Sequence, residues 1–313
     1  MGTGGGQESS TPSSHFTSLR AYAALTALSI IWGLAFVAIR WAETLLAPVS
    51  MALLRWLLAS CGLLVLWPFI GKARTRYETR DTARLLVVSF ANVVSYHLTL
   101  YYSEKTISAG LAGLLVSIGP VLIVVLSWAL LKEKHGKEIV FALLLTFTGA
   151  AILAIGSIGS GGSVVGILEA IGTAVSYAVF AVLSKPLVSK YGAIPIAIWS
   201  GLVGTAMLLP LISPEFFAQV LHLTALGWLA MLYLSLLSTV VGYMLFYSLI
   251  GKGSVSRLSI QLYFIPVVSV VGGALILGEG ISVYTIAGGA AMLFAIALAT
   301  MKRPLGFSSK RSG

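Results

Sequence analysis

Ser108-Ala109-Gly110-Leu111, then Pro120-Val121, then Leu130-Leu131-Lys132-Glu133 mark out one stretch of this 313-residue sequence. Ser254-Val255-Ser256-Arg257, Pro266-Val267 and Ile276-Leu277-Gly278-Glu279 mark out a second. In each copy a proline stands 12 positions after the opening serine and a glutamate 13 positions after the proline, with an apolar run between. The copies are offset by 146 residues, close to half the chain, so the sequence reads as a duplicated half. A repeat of this length in segments this apolar predicts a membrane protein of two related bundles rather than a solenoid.

Composition points the same way. The chain is 58% hydrophobic and 10% charged, with a mean hydropathy of +0.98. A soluble domain carries roughly 25% charged residues, so much of this surface must face something other than water. The single cysteine, Cys61, lies in an apolar run and supports neither a disulfide framework nor a cysteine-rich metal site. The net charge of +10 is concentrated in short connections between apolar segments, which reads as membrane orientation rather than nucleic-acid binding.

Residues 1–19 are rich in Gly, Ser and Thr and are expected to form a flexible tail without the apolar core of a signal peptide. Ten segments long enough to cross a bilayer follow, at 21–40, 47–70, 83–103, 107–131, 138–157, 165–185, 193–212, 224–249, 255–278 and 281–301. They are continuously apolar rather than alternating, so ten transmembrane helices are expected and a barrel is not. The halves are set at 20–158 and 159–303, with a basic tail at 304–313. With the N-terminus in the cytoplasm, 17 of the 20 basic residues lie inside and only Arg40, Arg55 and Lys105 lie toward the outside. Both termini are therefore expected to be cytoplasmic. Five helices per half is an odd number, so the second half enters the membrane from the opposite side. That makes an inverted repeat. The alignment of Ile31-Trp32-Gly33 with Ser176-Tyr177-Ala178, and of Tyr101-Tyr102-Ser103 with Phe246-Tyr247-Ser248, agrees with it.

The Trp32-Gly33 pair, Arg55 in the second segment, the doubled Pro…Glu pattern and the ten-helix length resemble the drug/metabolite transporter superfamily, in its EamA branch. The resemblance covers about residues 20–303, and the aromatic-rich polar faces are most similar to YddG-type aromatic amino-acid exporters. It implies two inverted five-helix halves, a central cavity and efflux of small metabolites.

Helical spacing groups the polar residues into stripes: Ser89, Asn92, Ser95, Tyr96, Thr99 and Ser103 on the third helix, and Glu169, Thr173, Ser176, Tyr177, Phe180 and Ser184 on the sixth. Ser235, Ser238, Thr239, Gly242 and Phe246 form a stripe on the eighth, and Ser256, Ser259, Tyr263 and Pro266 one on the ninth. Hydroxyls and amides are costly against lipid tails, so the stripes should face one another or a watery cavity. Trp41 and Trp67, near segment ends, read as interfacial residues. Trp32, Tyr96, Tyr177 and Tyr263 lie mid-segment and are candidates for cavity lining or core. The expected substrate-binding set is Trp32, Phe36, Asn92, Tyr96, His97, Thr99, Tyr177, Phe180, Ser259, Gln261 and Tyr263. His97 lies on a different face from the Tyr96 stripe, and either a structural hydrogen bond or substrate contact and proton sensing fits its depth. Gln261 suits a substrate polar group or a partner helix. Pro120 and Pro266 are read as prolines in helix interiors, either gating hinges or fixed kinks.

Glu133 and Glu279, at helix exits, are expected to cap or anchor, and Glu169 to sit in a vestibule. Neither a carboxylate nor a basic residue is expected at midplane; Arg40 and Arg55, placed toward the outside, suit either a carboxylate or lipid headgroups. Neutral or zwitterionic substrates with large apolar side chains then fit best. The function expected is an inner-membrane exporter of such metabolites by alternating access, with no cofactor, metal or nucleic-acid partner. A nucleotide-sugar or phosphate-ester exchanger and an integral-membrane transferase are the alternatives. The transferase would need paired acids, a His-Asp pair or a metal cluster, and the four histidines (His15, His97, His135 and His222) are scattered. The absence of a P-loop leaves direct ATP drive unsupported.

Overall fold

A computed structural model of the chain describes residues 13–69, 76–131, 138–250 and 264–301. The described residues are helical, without strands, and carry α1 (Ser13–Ala42), α2 (Pro48–Leu66), α3 (Thr82–Ser89), α4 (Tyr96–Glu104), α5 (Ala109–Val116), α6 (Gly119–Leu131) and α7 (Glu138–Gly159). The second half carries α8 (Val164–Tyr191), α9 (Ala193–Leu208), the short α10 (Pro214–Leu221), α11 (Ala225–Leu232), α12 (Gly242–Ile250), α13 (Phe264–Leu277) and α14 (Val283–Met301). Six spans are long and apolar enough to cross a membrane and four shorter helices are apolar, which makes ten crossings as the segment pattern predicts.

Local chemistry sets the ends. Pro48 opens α2, where its missing N–H is one the helix could not have used. Ser108, Ser163 and Thr224 cap α5, α8 and α11, their hydroxyls accepting from the N–H groups of Leu111, Val165 and Gly227. Exposed apolar residues along α7, among them Val140, Phe141, Leu144 and Phe147, give that helix a lipid-facing surface.

Two crossings contain a π-helical segment, and the duplication explains both. A π-helical segment, Phe90–Ser95, joins α3 to α4, and a second, Tyr233–Val241, joins α11 to α12. They occupy equivalent places in the two halves. The fourth crossing, expected as one helix over 107–131, is broken at Ser117-Ile118 between α5 and α6. Pro120 therefore stands in the first turn of α6 and not in a helix interior, which corrects the placement on which both the hinge and the fixed kink were argued. Pro266 is the third residue of α13. Ser259, Gln261 and Tyr263, like Glu133 and the Ser254–Arg257 opening of the second repeat, lie outside the described residues.

Contacts fix the relative direction of the halves. Arg40, near the end of α1, donates to the backbone carbonyl of Glu104 at the end of α4. Gly166, near the start of α8, packs against Ser103 and Thr106 at that same end. The first helix of one half thus runs toward this face of the bundle and the first helix of the other runs away from it. The repeat is inverted.

Candidate substrate cavity

Between the halves lies a cavity of about 100 Å³, lined on one side by Trp32, Phe36 and Ile39 of α1, Arg55 of α2, and Asn92, Tyr96, His97 and Leu100 of the third crossing. Tyr177, Ser238, Tyr243, Ser117, Pro120, Ile265 and Pro266 contribute to the rest. Part of this wall is duplicated. Trp32 and Tyr177 are repeat partners in the alignment of the first helices, and Pro120 and Pro266 in the Pro…Glu motif. The cavity sits where like surfaces of the two halves meet.

The π segments supply its backbone chemistry. A widened turn releases carbonyls from the usual ladder, and side chains take them up. Trp32 Nε1 donates to the Ser238 carbonyl at 2.9 Å. His97 Nδ1 lies 3.0 Å from the Asn92 carbonyl and 3.1 Å from Trp56 Nε1. One tautomer accepts from Trp56 and the other donates to Asn92, since a single ring nitrogen cannot do both. Tyr243 donates its hydroxyl to Asn92 Oδ1 at 2.7 Å, tying the two halves across the cavity.

Of the expected substrate-binding residues within the described chain, Trp32, Phe36, Asn92, Tyr96, His97 and Tyr177 come together at this cavity. His97 and Tyr96 share it although they are neighbours in sequence, because the cavity subtends more than the 100° between adjacent residues of a helix. Thr99 and Phe180 are not in the wall. Thr99 Oγ1 pairs with Thr173 Oγ1 at 2.8 Å, next to a Ser95–Ser176 hydroxyl pair at 2.7 Å. Those stripes of α4 and α8 satisfy each other at a helix–helix contact, as small polar residues do in membranes. Phe180 is 2% exposed and packs with Leu85, Val88 and Leu187.

Arg55 is the main correction. Placed toward the outside in the sequence reading, as a carboxylate or headgroup contact, it is 6% exposed and lines the cavity. Its Nε donates to Thr239 Oγ1 at 2.9 Å, Nη1 to the Tyr101 hydroxyl at 3.0 Å and Nη2 to Ser238 Oγ at 3.2 Å. Ser238 and Tyr243 were also absent from the expected binding set, although Ser238 lies on the polar stripe of the eighth helix.

Charged clusters close both ends of the bundle. At one, Arg40 donates to Glu43 as well as to the Glu104 carbonyl, and its Nε lies 4.0 Å from Glu279 Oε1. Both Glu104 carboxylate oxygens are buried without a hydrogen-bond partner among the described residues. At the other, Lys190 reaches Asp81 Oδ2 and Glu78 Oε1, each at 2.7 Å, and Tyr191 donates to Asp81 at 2.6 Å, clamping the end of α8 to the start of α3. The hydrogen bond from Lys190 holds the Glu78 carboxyl below the usual carboxylate range. Among the described residues no group of three or more His, Cys, Asp or Glu could hold a metal ion.

An inverted helical repeat enclosing a membrane-embedded cavity between its halves defines a transporter architecture. The chain belongs to the EamA-like transporter family, whose model matches residues 19–155 and again 164–301. It is a transporter, not an enzyme. An uncharacterized transporter of Archaeoglobus fulgidus is 29% identical over 87% of this chain and 95% of that protein. A probable terminal-alkyne amino-acid exporter of Streptantibioticus cattleyicolor is 27% identical over 87% of this chain and 90% of that protein. A solved crystal structure superposes with a TM-score of 0.59 at 18% identity, over 90% of this chain and 96% of that one, which speaks to the fold.

Proposed function

We propose that this protein exports amino acids or similar small metabolites with large apolar or aromatic side chains, by alternating access at the cavity between its halves. The observation that carries the reading is the match of size and lining. At roughly 10–15 Å³ per water-sized sphere, about 100 Å³ holds on the order of ten such spheres, the scale of an amino acid. A nucleotide sugar is several times larger. The wall offers the faces of Trp32, Phe36, Tyr96 and Tyr177 with a few polar groups among them, the composition that selects an apolar body with a polar head. The relative named as an amino-acid exporter supports the same substrate class.

The protein acts in the cytoplasmic membrane with both termini inside, as its basic connections favour. The halves fall at 20–158 and 159–303, with Pro120 and Pro266 at matching points of the repeated motif. Transport of labelled phenylalanine, leucine, a nucleotide sugar and a cationic dye by reconstituted liposomes tests the substrate reading. Selective movement of the amino acids is expected, and movement of the nucleotide sugar or dye alone would reject it. For orientation, Cys61→Ser is combined with a cysteine at Ser160 or at Thr79, both exposed. An impermeant thiol reagent should label the first from outside and not the second.

A further inference from the structure

We infer that Arg55 is the carboxylate receptor of the cavity, so that the substrates are organic acids or amino acids recognised through an anionic head. The inference rests on the proposed role of this cavity as the transport site and narrows its substrate class.

The guanidinium has five N–H donors, of which three are used, and all three acceptors are neutral hydroxyls. One N–H on each of Nη1 and Nη2 is left, a pair suited to the two oxygens of a carboxylate. Thr239, Ser238 and Tyr101 orient the group without neutralising it. Among the described residues no carboxylate lies within 4 Å of it. The carboxylate oxygens of Glu104, at the end of α4, are buried with no hydrogen-bond partner among the described residues, so Glu104 makes no ion pair or hydrogen bond with it. A buried cation without a counter-charge is strongly unfavourable, so a cavity that keeps one is built for a ligand that supplies it.

Two further observations separate a receptor from a scaffold. The alignment that pairs Trp32 with Tyr177 and Tyr101 with Phe246, 145 residues on, sets Ser200 at the place of Arg55, so the shared architecture of the halves does not require a cation there. Arg55 and Trp32 also meet at one residue: Ser238 accepts from Arg55 at its hydroxyl and from Trp32 at its carbonyl. An anion-binding fork and a large aromatic face therefore stand side by side, which is the pairing that an acid with an apolar side chain needs.

The test is thermal unfolding of the purified, detergent-solubilised protein titrated with phenylalanine, 3-phenylpropionate, 3-phenylpropanol, phenethylamine and succinate. The two aromatic acids should stabilise the protein, while the alcohol and the amine should bind at least about tenfold more weakly. Arg55→Gln should remove this discrimination and Arg55→Lys should keep part of it. Alcohol and acid binding alike to the wild-type protein would overturn the receptor and leave the aromatic cavity standing. Succinate binding through Arg55 without any effect of the aromatic acids would keep the receptor and reject the aromatic reading. Binding by none of the carboxylates rejects the receptor. The ligand series on the wild-type protein decides the matter even if Arg55→Gln does not fold.

Discussion

The carboxylate of Glu279 caps the helix that begins at Ala109, accepting from the Ala109 N–H at 2.8 Å and from the Gly110 N–H at 3.2 Å. The glutamate that ends the repeated motif in the second half thus serves the helix start that opens the motif in the first. Its negative charge faces the positive end of α5 and satisfies two N–H groups that the helix cannot pair internally. Replacing Glu279 by Ala should cost about 1–2 kcal/mol, seen as a lower unfolding temperature in detergent. Glu279→Gln, which keeps an acceptor, should cost less. Equal stability of all three proteins would rule out the cap.

Gly273 makes that reach possible. A Cβ at this position would lie 2.4 Å from Glu279 Oε2 and 3.1 Å from its Cδ. Gly273→Ala should therefore push the carboxylate off the helix end and destabilise the protein by an amount similar to loss of the cap. In the Glu279→Ala background the same change should cost distinctly less, because the clash is gone. Additive losses in this double-mutant cycle would show that the glycine serves another contact.

Glu43 makes the Arg40 cluster sensitive to pH. Burial pushes its carboxyl from the ordinary 4.5 up to about 7, against the attraction of Arg40 and Lys105 and with the repulsion of Glu279. The folded protein then holds this proton more tightly than the unfolded chain does. The stabilisation is complete below about pH 4.5 and is lost as pH rises through about 7. The difference in unfolding temperature between wild type and Glu43→Gln should shift in favour of the variant across that window. A difference independent of pH would mean that Glu43 does not titrate there.

Much of this was open to reading in the sequence. Continuous apolar runs and the doubled Pro…Glu spacing are long-range signals, and they carried the ten crossings and the inversion. The π segments left no such mark, because one wide turn barely disturbs a 3.6-residue period over a whole span. Arg55 was misplaced for a different reason. It was counted as an orientation marker, although seven residues at about 1.5 Å each put it roughly 10 Å inside the helix that begins at Pro48. Thr99 and Phe180 were over-read because a polar or aromatic stripe looks the same whether it faces a cavity or a neighbouring helix. Glu104 drew no attention at the end of its apolar run, yet its side chain is fully buried.

Trp32 links wall and backbone, so its two contributions can be separated. The indole N–H donates to the Ser238 carbonyl in the π segment, and the ring packs against Phe246 and Tyr243 with centroids 5.4 and 6.2 Å away. Trp32→Phe keeps an aromatic face but removes the donor to that carbonyl, which should cost about 0.5–1.5 kcal/mol and slow transport. Trp32→Ala removes both and should abolish it. Gly242 gives an independent handle, since a Cβ there would lie 2.6 Å from Trp32 Nε1. Gly242→Ala alone should displace the indole and resemble Trp32→Phe in transport rate. Combined with Trp32→Phe it should add little, because the smaller ring leaves the methyl room. If instead Gly242→Ala is silent and Trp32→Phe transports at the wild-type rate, the indole–carbonyl bond contributes nothing and the ring alone forms the wall.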